Sequence, residues 1–421
     1  MNRRHANGSR WFCLAWIGPG LAVAATGVGA GDLLAAMLAG AGFSTTLLWV
    51  IVVGATLKFV LNEGVARWQV ATGSTLLEGW CLHLGPWFTG GFLAYLVLWS
   101  FIVAGGLMTA CGVAGHALVP TVRITTWAVV QSLLAAVLVL VGGYGLFERV
   151  MKILIGIMVL TLLVSVLMVA PDLTSILRGL VPTLPRGSAA ATLSLMGGVG
   201  GSVTLLSYGY WIREKGWAGA GVMGRIRVDL GVGYALTGVF GIAMLLLAAT
   251  ALAGAGGMPP GSQGLVACAD AIRDSTGQRL GSAVGHTVRL IFLVGVWGAV
   301  FTSTLGVWQG VPYLFADFLG VLRGRGTEPV ETSGWTYRGY LFFLAIPPLV
   351  MVFFGRPIWI ITLYTLTSGL FMPVLAASLL WLNSRKRLVG DLRQGPLVAS
   401  MLAMALALFA AIAVRTAIDL F

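Results

Sequence analysis

Runs of about 20 apolar residues recur along the whole chain, and each can cross a bilayer as a helix. Eleven such windows are read, at about 13–38, 43–70, 88–115, 123–143, 149–170, 189–211, 229–254, 284–314, 338–354, 357–382 and 396–419. Strands of a membrane barrel would alternate apolar and polar residues, and these windows do not. Of the 421 residues, 58% are hydrophobic and 10% charged, more apolar surface than a water-soluble core of this length needs. The reading is an all-α membrane protein of about eleven spans. The start, with Arg3, Arg4 and Arg10 before an apolar stretch, imitates a secretory signal, and Ala22-Val23-Ala24 imitates its cleavage site. The stretch continues to about Gly40, so it is read as the first span.

The formal net charge of +12 does not call for nucleic acid. With the N-terminus placed in the cytoplasm, inner segments hold sixteen Lys and Arg and outer segments seven. That is the asymmetry expected of a cytoplasmic-membrane protein. An odd number of spans then puts the C-terminus outside. The partners expected are the lipid bilayer and a small ion or solute. Cys13, Cys81, Cys111 and Cys268 are scattered, without metal-ligand spacing, and read as packed thiols. No Walker motif, paired carboxylates, Ser-His-Asp set or metalloprotease motif is present, so neither ATP drive, nor an enzyme, nor a cofactor is expected.

Two spans are interrupted by glycine at matching places. The first reads Ala25-Thr26-Gly27-Val28-Gly29-Ala30-Gly31-Asp32 and the second Met196-Gly197-Gly198-Val199-Gly200-Gly201-Ser202. Freed backbone groups in a bilayer need partners, and paired breaks in two halves point to a transporter's substrate site. The breaks lie in spans one and six, so the second five spans enter with opposite polarity. This predicts a single transmembrane domain over 1–421, with one repeat at about 13–170, an inverted one at about 189–382, and an extra helix at about 396–419. Gly27 and Gly31 are also four apart, as are Gly197 and Gly201, a spacing that serves close helix packing without any ligand.

Further residues carry a resemblance. Gly18-Pro19-Gly20, then 26 residues, Leu47-Leu48-Trp49, and then Ala71-Thr72-Gly73, resemble the start of the NRAMP (natural resistance-associated macrophage protein) transporters. Weaker similarity continues through Leu177-Arg178-Gly179-Leu180-Val181-Pro182. The resemblance implies the LeuT-like fold. It also exposes departures. Where the family breaks span one at Asp-Pro-Gly-Asn, this chain has Gly29-Ala30-Gly31-Asp32. Where the family breaks span six at Met-Pro-His-Asn, it has Gly201-Ser202-Val203-Thr204. Gly105 and Met108 stand where the family has an Asp and a Glu tied to proton movement.

Asp32 is thus the only acid in the first break, and an acid at mid-membrane marks a functional site by default. It is the candidate metal or amine ligand, helped by unwound carbonyls from Thr26 to Ala30, including Gly27 and Gly29, and by Gly31. The alternative is an ion pair with Lys58 or Arg289 that fixes packing. Gly198, Gly201, Ser202, Thr204 and Thr365 complete the candidate set. Oxygen-only ligands suit Mg²⁺, Ca²⁺ or Na⁺ rather than thiophilic metals. The function expected is secondary transport of a hard cation, foremost Mg²⁺, without an obvious proton relay, since only Asp32 and Glu63 stand out as intramembrane acids. The alternative is a small organic or anionic solute bound by the exposed amides of the breaks.

Overall fold

The computed structural model describes residues 18–198, 200–251, 262–324 and 330–420. It is helical throughout, with no strand among the described residues. The first span is two pieces, α1 (Pro19–Gly27) and α2 (Ala30–Phe43). A tight turn at Ser44–Leu47 leads into α3 (Leu48–Thr72). The short α4 (Leu76–His83) precedes α5 (Gly85–Leu118) and α6 (Ile124–Val169). After α7 (Leu173–Gly179), the sixth span is again two pieces, α8 (Ala189–Gly198) and α9 (Ser207–Glu214). Then come α10 (Met223–Ala251), α11 (Ser262–Leu280) and α12 (Ser282–Leu322). The ninth span is α13 (Trp335–Ala345) with α14 (Leu349–Phe353), the tenth α15 (Pro357–Asn383). The four-residue α16 (Lys386–Val389) leads to α17 (Pro396–Leu420).

Two continuous stretches, Gly31–Thr72 with 42 residues and Ile124–Val169 with 46, are each about twice what the hydrocarbon core needs. Each therefore holds two spans. Ser44 (φ 53°) turns the first, and Gly143 (φ 55°, ψ −170°) kinks the second between the windows read as spans four and five. Local chemistry sets the ends. Pro19 opens α1, where its missing N–H costs nothing. Gly73 closes α3 in the left-handed conformation. Thr75 and Glu78 form a capping box at α4.

Lipid tails are as apolar as leucine, so close packing rather than burial from water must hold these helices together. Glycines supply that closeness. Gly20 of α1 packs against the backbone of α10 at Asp229, and Gly233 of α10 packs back on Gly20. The outward side of α6 shows Val130, Leu134, Val137, Leu140, Ile153 and Leu167 exposed, as a lipid-facing helix requires. Between the seventh and eighth spans lies α11, whose Asp270 binds Arg273 and Arg289. Among the described residues, the tryptophans divide between the core and the ends of the bundle. Trp68, Trp80, Trp99, Trp211 and Trp308 are fully buried, while Trp87 and Trp335 are exposed at the ends.

Candidate functional site

The two breaks meet. In the first, α1 ends at Gly27, Val28 (ψ 75°) and the extended Gly29 turn the chain, and α2 starts at Ala30. The unwound segment is therefore shorter than expected. Thr26 and Gly27 are still helical, and Ala30, Gly31 and Asp32 already are. In the second, Gly197 and Gly198 belong to α8, Val199 lies outside the described residues, and Gly200 (φ 85°), Gly201 (φ 86°) and Ser202 are non-helical. A side chain at either glycine would be strained there. Gly27 lies directly against the Gly200–Gly201 backbone, with its Cα 3.1 Å from where a Cβ on Gly201 would be.

Asp32 occupies the first turn of α2, where the helix's positive end favours a carboxylate. It is buried, not lipid-facing, and Oδ2 accepts the Gly200 N–H at 3.4 Å across the two breaks. Lys58 of α3 is wholly buried and attracted to Asp32. Its Nζ donates to the Gly201 carbonyl and stands 5.6 Å from the centre of the Phe409 ring on α17. Arg289, the other partner considered for Asp32, is instead 2.7 Å from Asp270.

Several break carbonyls expected to await a ligand are occupied. Ser303 of α12 donates to the Thr26 carbonyl at 2.5 Å, and the Thr26 hydroxyl turns back to Ala22 at 2.6 Å. The Gly27 carbonyl accepts from Gly29 at 3.0 Å. Ser303 and Tyr364 of α15 both crowd Gly29, so spans eight and ten wall the first break. Ser202 and Thr204 are buried in the second, with the Thr204 hydroxyl against Gly201. Thr365 lies on α15, but its side chain, like that of Ala30 and the surroundings of Gly198, is outside the described residues. At the span-three positions, Gly105 packs on Met351 and Met108 is buried.

Asp32 and Glu63 are not the only buried acids. Glu63 binds Arg67 at 2.5 Å and Arg227 at 3.0 Å. Glu148 binds Lys152 and Lys215 at 2.8 and 2.7 Å. Asp229 accepts from the Gly18 and Gly20 amides at 3.0 and 2.6 Å and from Tyr208 at 2.9 Å. Asp317 accepts from Thr75 at 2.8 Å and Tyr210 at 2.6 Å. Single acids set in apolar spans are the signal that finds them in sequence. No group of three or more His, Cys, Asp or Glu comes together to hold a metal among the described residues. Cys81, Cys111 and Cys268 are free thiols, and Cys13 is outside the described residues.

The family model described as "Natural resistance-associated macrophage protein-like" matches residues 20–419, nearly the whole chain. The chain belongs to the Nramp family. Its fold is the LeuT-like fold, and among the described residues six helices are long and apolar enough to cross a membrane. It is 28% identical to metal transporter Nramp3 of Oryza sativa subsp. japonica over 189 residues, 44% of this chain and 34% of that one. It is 22% identical to rice metal transporter NRAT1 over 80% of its own length and 62% of the relative's, so it spans less than two thirds of both rice proteins. It is 23% identical to the divalent metal cation transporter MntH of Acidiphilium cryptum, over 90% of this chain and 84% of that one. In structure it resembles the manganese transporter of Eremococcus coleocola, TM-score 0.78 at 15% identity, over 99% of this chain and 88% of that one. It also resembles MhsT in complex with L-phenylalanine, TM-score 0.60 at 15% identity, over 97% and 99% of the chains. At such identity the likenesses establish the fold alone.

Proposed function

We propose that the protein is a secondary transporter that carries a divalent cation across the cytoplasmic membrane by alternating access, with the cargo seated between the two helix breaks. Family membership and relatives named as divalent metal cation transporters support the class of cargo. The observation that carries the site is Asp32, a buried carboxylate at a helix start, bonded across the breaks to Gly200. Among the described residues of the two breaks, the donors are oxygens from Asp32, Ser202, Thr204 and the Gly201 carbonyl, without sulfur or imidazole. Such a set favours a hard ion. A single carboxylate suits an ion that keeps most of its water, as Mg²⁺ does. The charge asymmetry supports a cytoplasmic N-terminus and an external C-terminus. The breaks support repeats at about 13–170 and 189–382, with 396–419 appended.

Lys58 favours a second reading. A buried ammonium and the Gly200 amide, once released from Asp32, also suit the carboxylate of a small organic solute, with Asp32 holding an amine. Uptake into proteoliposomes separates the two. Saturable Mg²⁺ uptake, lost in Asp32→Ala, supports the first. Silence toward every divalent ion, with uptake of a carboxylate solute, replaces it with the second. Saturable Mn²⁺ or Cd²⁺ uptake at low micromolar concentration contradicts the hard-ion assignment.

A further inference from the structure

We propose that the Lys58 ammonium is a tethered cation that occupies the cargo's seat in the empty transporter and withdraws to a second seat, at Asn62, when cargo enters. The inference rests on the cation reading above. Lys58 reaches from α3 to the second break and donates to the carbonyl of Gly201, a group turned out of helical hydrogen bonding by the left-handed backbone at that residue. On the other side of the same junction stands Asp32, whose charge attracts it. A positive group thus engages an oxygen of span six and faces the carboxylate of span one, which is what a bound cation would do. The junction carries one negative and one positive side chain, balanced without cargo. A divalent ion entering between them meets both its ligands and a like charge, so its binding and the ammonium's departure are linked.

The helix that bears Lys58 supplies a place to go. Asn62 follows at i+4, on the same face of α3. It is fully buried, its Nδ2 donates to the Tyr234 hydroxyl at 3.1 Å, and its Oδ1 has no hydrogen-bond partner among the described residues. A buried amide oxygen left without a donor is costly. An ammonium swung one turn along the helix satisfies it. Among the described residues Asn62 Oδ1 has no donor in the present arrangement, and the second seat gives it one.

The experiment is Mg²⁺ titration of the purified full chain by calorimetry, with wild type, Lys58→Met and Asn62→Leu. Lys58→Met removes the competitor and is expected to bind Mg²⁺ at least tenfold more tightly. Asn62→Leu removes the second seat and is expected to bind it at least tenfold more weakly, although no Asn62 atom touches the cargo. Binding of equal strength in wild type and Lys58→Met overturns the proposal and leaves the cation reading standing. If Lys58→Met is not recovered folded, unchanged affinity in Asn62→Leu overturns it. Absence of Mg²⁺ binding in all three proteins overturns the cation reading, and the proposal with it.

Discussion

Asp32 and Lys58 face each other within the protein at a point where charge is expensive, so each exists there for the other or for cargo. At about 5 Å and an effective dielectric near 20, a divalent ion and an ammonium repel by roughly 7 kcal/mol. The Asp32 carboxylate attracts the same ion by a comparable amount, so while the ammonium stays it cancels most of what the acid contributes to binding. Replacing Asp32 by Ala leaves Lys58 without its counter-charge and the cargo without its acid. Asp32→Ala is therefore expected to abolish uptake, and near-normal uptake would remove Asp32 from the site. Gly201 is a second test at this scale. An alanine there would adopt φ 86°, costing about 1 kcal/mol, with its Cβ 2.8 Å from the Thr204 hydroxyl. Gly201→Ala should lower the unfolding temperature and uptake together, and a variant with unchanged melting and flux would show that the second break tolerates a helix. Asp32 was legible in the sequence because it sits in the glycine motif itself. Lys58 was legible only as a structural partner. The carbonyl it meets is 143 residues away, and nothing in the apolar pattern of α3 tells which neighbour its long side chain reaches.

At the scale of elements, the start of α1 is held by Asp229 of α10, which accepts two backbone amides from α1 and the Tyr208 hydroxyl of α9. One piece of each broken span, α1 and α9, is thus fastened to α10 through one carboxylate. Hydrogen bonds to a charged group contribute about 1.5–3 kcal/mol, so releasing them favours any state in which α1 swings away. Asp229→Ala is expected to increase labelling of a cysteine placed at Ser303 by a membrane-impermeant thiol reagent added from the cytoplasmic side, and to lower thermal stability. Unchanged labelling would mean that the start of α1 is not part of a moving gate. Element count was legible from sequence, because span length is fixed by the bilayer and not by tertiary packing. The extent of the breaks was not. Glycine weakens a helix without forbidding it, so Gly27, Gly31, Gly197 and Gly198 remain helical, and of the described residues of the two motifs only Val28–Gly29 and Gly200–Ser202 unwind.

At the scale of the whole molecule, the question is whether charge can pass from the breaks to either face. Alternation of the spans puts Glu63, Glu148, Asp229 and Asp317 toward the end of the bundle that holds the start of α1. Each already takes an ion pair or two or more hydrogen bonds. Toward the other end, the span-three positions Gly105 and Met108 offer no titrating group, and Gly105 packs on the Met351 side chain. A proton relay needs Asp, Glu or His in sequence along a cavity, and Asp32 has no such successor among the described residues on that side. We therefore expect cargo uptake into proteoliposomes to proceed without acidifying the lumen and to depend little on an imposed pH gradient. An internal pH dye, read with and without Mg²⁺, measures this. Asp32 itself can still exchange a proton for cargo, and that route has its own signature. Mg²⁺-dependent acidification that disappears in Asp32→Asn would make Asp32 the proton carrier and defeat the expectation, while acidification that survives in Asp32→Asn would mean that protons cross by a path that does not pass through the helix breaks.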